Sequence, residues 1–254
     1  MKIVFVTGCN GQLGQVISSH LKSLDWIVYG MDLSEDSNNQ FLRGYLQGSV
    51  LSRSDFTSLF LSPMENFDIS EVTNISLINN AGVAVFTPSE ERTEAEFDLV
   101  SRTNLLGPIF GITEFKRCFI DVLEGRDDLN CVMSILNIAS VYGQISPNSS
   151  IYSDTNRNSS EIYGATKAGL IQMTKYFAVR YASHPIMVNC ISPGGILNTD
   201  LQGPEFIHNY SKLVPMNRLC KPDELGQLCA LLTEFSIGYL TGQTISLDGG
   251  LTSW

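Results

Sequence analysis

Tyr163 and Lys167, four residues apart, carry the clearest chemical signal in the chain. On a helix, positions i and i+4 share a face, so a phenol and an ammonium would stand side by side. A neighbouring cation stabilises phenolate and lowers a tyrosine pKa from about 10 toward the range where it can exchange protons with a substrate. A chain with nine tyrosines produces such a pair by chance often enough that its surroundings must decide. Ser140, in Ser140-Val141-Tyr142-Gly143, follows the apolar run from Cys131 to Ala139, which reads as a strand. It therefore falls at the C-terminal end of that strand, the end where open parallel sheets bind ligands.

Positioning these side chains requires a sheet, and the N-terminal half supplies its pattern. The run Lys2 to Thr7 reads as a strand, Gly8-Cys9-Asn10-Gly11-Gln12-Leu13-Gly14 as a glycine turn, and Leu13, Val16, Ile17, Leu21 and Leu24 as one face of a helix. Such a turn lets the backbone approach a pyrophosphate, which the helix N-terminus stabilises with free N–H groups. Asp32 ends the next strand, Trp26 to Met31, at close to the spacing of about 20 residues expected of a ribose-binding acid. A carboxylate there accepts hydrogen bonds from ribose hydroxyls and repels a 2′-phosphate, and no Arg or Lys follows until Arg43. The chemistry favours NAD over NADP. The strand from Ile75 to Ile78 runs into Asn79-Asn80-Ala81-Gly82, small enough for a cofactor ribose to approach the backbone.

Further strands are predicted at Phe41 to Leu46, Ile186 to Ile191 and Gln243 to Leu247, and helices at Asp55 to Leu61, Ile162 to Tyr181 and Pro222 to Thr233. A long helix is predicted from Thr93, where Glu96 completes a capping-box spacing, with Phe97, Val100, Leu105, Ile109 and Ile112 on its apolar face. Asn104 lies inside it, a mildly unfavourable place for an Asn. Gln144 to Ser160 reads as a polar loop, and Ile196 to Lys221 as a mixed segment. Alternating strands and helices predict a single-domain α/β Rossmann fold over residues 1–254. Its doubly wound parallel sheet has about seven strands with helices on both faces, and a substrate-loop region lies at about 196–221.

Composition narrows the partners. The chain has no run of 18 apolar residues and no signal-peptide pattern at its start, so a cytoplasmic protein with no membrane association is expected. A net charge of -10 argues against nucleic acid, which needs clustered Lys and Arg. Cys9, Cys118, Cys131, Cys190, Cys220 and Cys229 include no Cys-x-x-Cys pair and read as reduced core residues. His20, His184 and His208 are scattered, and no metal site is expected.

Together, Thr7-Gly8 with Gly11 and Gly14, Asp32, Asn79-Asn80-Ala81-Gly82, Asn104, Ser140, Tyr163 with Lys167, Pro193-Gly194 and Asp248-Gly249-Gly250 resemble the short-chain dehydrogenase/reductase family over nearly the whole chain. The resemblance implies a catalytic set of Asn104, Ser140, Tyr163 and Lys167. Tyr163 would be the acid/base and Ser140 would orient the substrate oxygen. Lys167 would lower the Tyr163 pKa and bind the nicotinamide ribose, and Asn104 would hold a water linking Lys167 to solvent. It implies an NAD site formed by Gly8, Asn10, Gln12, Leu13, Asp32, Asn80, Ala81, Gly82, Tyr163, Lys167, Pro193, Gly195 and Ile196. The implied activity is NAD(H)-dependent interconversion of a secondary alcohol and a ketone of a small-molecule substrate, in a homodimer or homotetramer.

Departures from the family pattern accompany these matches. Gln12 stands where the family's shorter branch usually has its middle glycine, Ser49 where an Asp often holds adenine, and the segment from Ser140 to Tyr163 is longer than in that branch. The mixture is similar to a subgroup of bacterial flagellin-modification and surface-sugar oxidoreductases, which implies a sugar or sugar-nucleotide substrate. Two alternatives stay open: an epimerase or dehydratase that retains its NAD, and a non-catalytic NAD-binding protein. The extra chain between Gln144 and Ser160 is expected to select the substrate without doing chemistry.

Overall fold

Short apolar runs such as Ile3-Val4-Phe5-Val6 and Ile75-Ser76-Leu77-Ile78 are buried on both faces, as a parallel sheet between two helical layers requires. The computed structural model describes residues 1–121, 131–152, 159–234 and 237–253. Seven strands, β1 (Lys2–Thr7), β2 (Trp26–Asp32), β3 (Gly44–Gln47), β4 (Asn74–Asn79), β5 (Val132–Ile138), β6 (Ile186–Pro193) and β7 (Thr244–Leu247), form one sheet in the order β3-β2-β1-β4-β5-β6-β7. Every adjacent pair is parallel. The chain reverses its direction of winding between β1 and β4, so the crevice for a ligand opens at their C-terminal ends.

Alternate residues of β1 divide the interior. Ile3 and Phe5 face one layer, made by α2 (Arg53–Met64), α4 (Gly107–Lys116) and α5 (Glu161–Arg180), while Val4 and Val6 face the other, made by α1 (Gln12–Ser23) and α7 (Pro222–Glu234). On the first side Phe5, Phe60, Phe115 and Phe119 interlock with ring centroids 4.9 to 5.8 Å apart. Each such buried ring contributes about 1.5–3 kcal/mol of burial free energy. Polar side chains also cross this core. Ser76 and Ser134 share a hydroxyl hydrogen bond of 2.7 Å, Asn79 Nδ2 donates to Asn137 Oδ1 at 2.9 Å, and Asn137 Nδ2 donates to Thr174 Oγ1 at 2.9 Å.

The single α/β domain and its seven strands match the sequence reading, with local differences. β3 begins at Gly44 rather than Phe41, because Phe41 N–H is taken by Asn39 Oδ1 and the first bond to β2 is made by Arg43 N–H. The capping box at Thr93 and Glu96 is present and starts α3 (Glu94–Ser101). The long helix does not run evenly, since a π-turn at Arg102–Leu106 separates α3 from α4. Phe97, placed by its spacing on the buried stripe, is 48% exposed; the short α3 buries only Val100. The mixed segment contains α6 (Pro204–Leu213), and the loop after Ser140 folds into one-turn helices at Val141–Gly143 and Ser149–Tyr152. Part of the expected Gln144-to-Ser160 loop, residues 153–158, lies outside the described residues.

All six cysteines are free and five are buried. No described helix is long and apolar enough to cross a membrane. Among the described residues, no three His, Cys, Asp or Glu side chains gather as metal ligands.

Candidate active site

The catalytic candidates meet at the C-terminal ends of β4 and β5. Ser160 Oγ accepts the Tyr163 N–H at 3.2 Å and starts α5, which places Tyr163 in the first turn and Lys167 one turn further in. Lys167 is 5% exposed, and its Nζ donates to the Ile138 carbonyl at the end of β5 at 2.7 Å while lying 5.6 Å from the centre of the Tyr163 ring. Ser140 follows directly on Ala139, and its Oγ accepts the Tyr142 N–H at 3.2 Å. The Val141–Gly143 turn lies hard against α5: a Cβ on Gly143 would come within 2.7 Å of the Lys167 carbonyl carbon, so only glycine permits that approach.

Electrostatics at this centre differ from the expectation for an isolated Tyr–Lys pair. Burial pushes the Tyr163 phenol above its ordinary value, and the hydrogen bond with Ser140 opposes that rise without cancelling it. The net shift is therefore upward and not the depression expected of a Tyr–Lys pair, because burial outweighs the opposing hydrogen bond while the Lys167 ammonium is turned to the Ile138 carbonyl. Burial lowers the Lys167 pKa from 10.5 to about 8. A lysine at that value remains mostly charged at neutral pH, with N–H donors beyond the one given to Ile138.

Asn104 is wholly buried in the π-turn, and its side chain is fully engaged: Oδ1 accepts from Val83 N–H and Nδ2 donates to the Val83 carbonyl, both at 2.8 Å. The amide therefore braces the stretch that follows Asn79-Asn80-Ala81-Gly82. Pro108, the second residue of α4, lacks an N–H and cannot return an i+4 bond to the Asn104 carbonyl.

Beside this centre runs a cleft of about 590 Å³. Gly8, Asn10, Gln12, Leu13, Asp32, Asn80, Ala81 and Gly82 all line it, as the sequence reading grouped them. Thr7 Oγ1 accepts from Asn80 and Ala81 N–H at 3.1 Å, and Asn80 Nδ2 donates to the Thr7 and Gly8 carbonyls at 3.0 Å, locking the two walls together. Gly14 lets α1 press onto the turn, since a Cβ there would lie 2.2 Å from the Gly8 oxygen. Asp32 Oδ2 accepts from Asn10 N–H at 3.0 Å and Oδ1 from Leu33 N–H at 2.8 Å.

The cleft has the features a dinucleotide needs. Ser52, Thr93 and Ser160 cap α2, α3 and α5 with their side chains, whereas Gly11 gives α1 no side-chain acceptor and the first turn of α1 holds no acid. The N–H groups at the start of α1 are thus left for an anion from outside. Asp32 stands beyond them on the wall of the same cleft.

Pro193, Gly195 and Ile196 are not among the residues lining that cleft. Pro193 ends β6, and the Gly195 N–H is already given to Tyr210 Oη at 2.6 Å, so that N–H is not free for a cofactor. The Ile196 carbonyl accepts from Gln202 Nε2 at 2.8 Å. Gln12 reaches from the glycine turn to this segment, as Nε2 donates to the Leu197 carbonyl at 3.0 Å and Oε1 accepts from Asn198 Nδ2 at 3.1 Å.

Sequence reasoning missed an aromatic group near Tyr163. The Tyr152 and Phe206 rings lie 5.6 Å apart and Phe206 and Tyr210 5.9 Å apart, so the turn at Ser149–Tyr152 packs on α6. Burial, with neighbouring phenols, raises the pKa of Tyr142 strongly and that of Tyr210 to about 12, so both remain protonated at neutral pH. Tyr142, two residues after Ser140, was the one local signal for this group.

Comparison with known proteins agrees with this geometry. A family profile described as enoyl-(acyl carrier protein) reductase matches residues 69–252. A tropinone reductase homologue of Arabidopsis thaliana is 30% identical over 261 residues, covering 97% of this chain and 78% of the relative. The crystal structure of a short-chain dehydrogenase from Leptospira borgpetersenii with bound NAD+ is 33% identical with a TM-score of 0.83, covering 99% of this chain and 92% of that one. A 4-hydroxyisoleucine dehydrogenase complexed with NADH shares the fold, with 23% identity, a TM-score of 0.79 and full coverage of both chains, 100% each.

Proposed function

The chain belongs to the short-chain dehydrogenase/reductase family of NAD(P)-dependent oxidoreductases, and on that premise we propose that it uses NAD(H) to interconvert a secondary alcohol and a ketone. One observation carries the reading: Ser140, Tyr163 and Lys167 meet at the C-terminal end of β5, beside a cleft that contains an open helix N-terminus and Asp32. NAD bound in that cleft supplies the hydride acceptor or donor. Its use is supported by the carboxylate of Asp32 and by the NAD+-bound relative. The glycine turn and Asn10, Gln12, Leu13, Asp32, Asn80, Ala81 and Gly82 hold the adenosine and pyrophosphate side, and Pro193, Gly195 and Ile196 flank the other end.

During reduction Tyr163 gives its phenolic proton to the substrate oxygen, and during oxidation it takes one back. Ser140 donates a hydrogen bond to the same oxygen and fixes its distance from Tyr163. Lys167 turns its remaining donors to the ribose hydroxyls, and its charge then offsets the cost of a buried phenolate, which burial alone makes too basic. Asn104 holds the water through which Lys167 exchanges protons with solvent.

We read the substrate as a sugar or sugar nucleotide in a surface-sugar pathway such as flagellin modification. Support comes from the Ser140-Val141-Tyr142-Gly143 motif and from the extra chain beyond it, whose Tyr152 packs on Phe206 of α6 beside the site. Partly exposed Phe97, Leu99, Tyr176 and Val179 on α3 and α5 support a homodimer or homotetramer, and we place the protein in the cytoplasm.

Tyr163→Phe tests the mechanism. With a panel of sugars and simple ketones, NADH turnover should fall by about 100-fold or more, while the fluorescence-measured Kd for NADH stays within about threefold. Unchanged turnover would remove Tyr163 from the mechanism. Turnover that leaves bound cofactor with no net redox change would instead favour an epimerase or dehydratase.

A further inference from the structure

Gln12 opens α1, on the wall of the cofactor cleft, at the position where the family's shorter branch usually carries glycine. Its side chain leaves that wall. Nε2 donates to the Leu197 carbonyl at 3.0 Å and Oε1 accepts from Asn198 Nδ2 at 3.1 Å, so both ends of one amide bind one dipeptide. In the sheet, β1 and β6 are separated by β4 and β5, three strand spacings or roughly 14 Å. A bond from the turn after β1 to the segment after β6 therefore joins parts of the molecule that the sheet itself holds apart, at the edge where Asn80 to Gly82 and Ser140 lie.

The far anchor is rigid. Leu197 N–H donates to the Cys220 carbonyl at 2.8 Å, Asn198 N–H to Gln202 Oε1 at 2.9 Å, and Gln202 Nε2 to the Ile196 carbonyl at 2.8 Å. Gln12 is exposed and, among the described residues, makes no other side-chain hydrogen bond, so its amide is not needed to complete the core. Glycine at this position could not reach across.

We propose that Gln12 is a cofactor-retention residue: its amide, clasped to Leu197 and Asn198, closes the cleft over bound NAD(H) and slows its release. The proposal rests on the NAD reading above and extends it, because a clasp of this kind sets how long bound cofactor stays and, through that release rate, how tightly it is held. Two hydrogen bonds, each of ordinary net strength, correspond to about a tenfold effect on the dissociation rate.

The experiment compares wild type, Gln12→Ala, Asn198→Ala and the double variant by stopped-flow fluorescence, chasing bound NADH with excess NAD. Gln12→Ala should release NADH about tenfold faster, with an association rate changed less than about twofold and the melting temperature nearly unchanged. Asn198→Ala should accelerate release as well. The double variant should be no faster than the faster single one, since all three disrupt one clasp. An unchanged release rate in Gln12→Ala, or fully additive effects of the two substitutions, would overturn the proposal while leaving the NAD reading intact. Wild-type protein that bound no NADH would overturn both.

Discussion

Lys167→Met replaces the buried ammonium with an uncharged side chain of similar length, and the consequence for stability can be worked out from the site. In the folded chain burial lowers the Lys167 pKa to about 8, while in the unfolded chain it stays near 10.4. Between these values the unfolded chain binds more protons, so wild-type stability rises with pH across the window. Below about pH 8 the whole penalty is present, and above about pH 10.5 it is gone. A shift of roughly 2.5 units corresponds to about 3 kcal/mol, of which about 2 kcal/mol is relieved between about pH 7 and about pH 9.5. The variant lacks this titration. It also leaves the Ile138 carbonyl without its donor, but that loss does not depend on pH.

Groups remote from Lys167 titrate alike in both proteins, and the Cys190 thiol beside it, pushed up to about 11 by burial, stays protonated in both folded chains across this window, so the difference in melting temperature reports Lys167. The variant's stability relative to wild type should be greatest near pH 7 and should fall by about 4–8 °C by about pH 9.5. NADH turnover by the variant should be lost at every pH. Thermal melts of the two proteins in matched buffers provide the assay. A difference constant to within about 1 °C across that range would refute the reasoning, and with it the picture of Lys167 as a charge buried at a cost to stability.

Two further substitutions address the cofactor cleft. Gly14→Ala places a Cβ 2.2 Å from the Gly8 oxygen, whereas Gly11→Ala meets the same atom at 3.5 Å. The first should cost about 3 kcal/mol or more and abolish NADH binding, and the second less than about 1 kcal/mol with binding retained; equal losses would mean that the turn tolerates α1 at a greater distance. Asp32→Ala should weaken NADH binding by about 10- to 100-fold through the lost ribose hydrogen bonds while changing NADPH binding little, so fluorescence titration should show the ratio of the two affinities collapsing. A preserved ratio would place selectivity elsewhere.

What the sequence made legible was local or periodic. The central strands announced themselves because both faces are buried, and Thr93 with Glu96 announced a helix start because a capping box is closed within four residues. Part of the lining of the cleft was legible because the glycine turn, Asp32 and Asn79 to Gly82 each end a strand, whereas Val50, Leu51, Leu99 and Thr103 reach it from segments that carried no signal. Contacts between distant segments were not. Nothing near Asn104 in the chain indicates that its amide is committed to Val83, and the i, i+4 spacing of Tyr163 and Lys167 does not reveal how deeply both are buried. Tyr142, Tyr152 and Tyr210 arrive from three segments and become a group only when α6 packs against the Ser149–Tyr152 turn. α6 itself had a signal: Pro204 at the first turn, then Phe206, Ile207, Tyr210 and Val214 at helical spacing.

The polar pairs buried between β4 and β5 bear on folding fidelity. Apart from Asn74 at the start of β4, both strands are otherwise apolar, so hydrophobic burial alone would tolerate a slide of one strand past the other by two residues, about 6.6 Å. Ser76 lies opposite Ser134 and Asn79 opposite Asn137, and each pair is hydrogen-bonded. Any such slide would strand two hydroxyls and two amides among hydrocarbon, at about 1–3 kcal/mol for each group left unpaired. The pairs thus act as registration marks between two nearly featureless ribbons. Because Asn80 and Ser140 emerge from the ends of these same strands, their alignment is decided in the dry interior, before any ligand arrives.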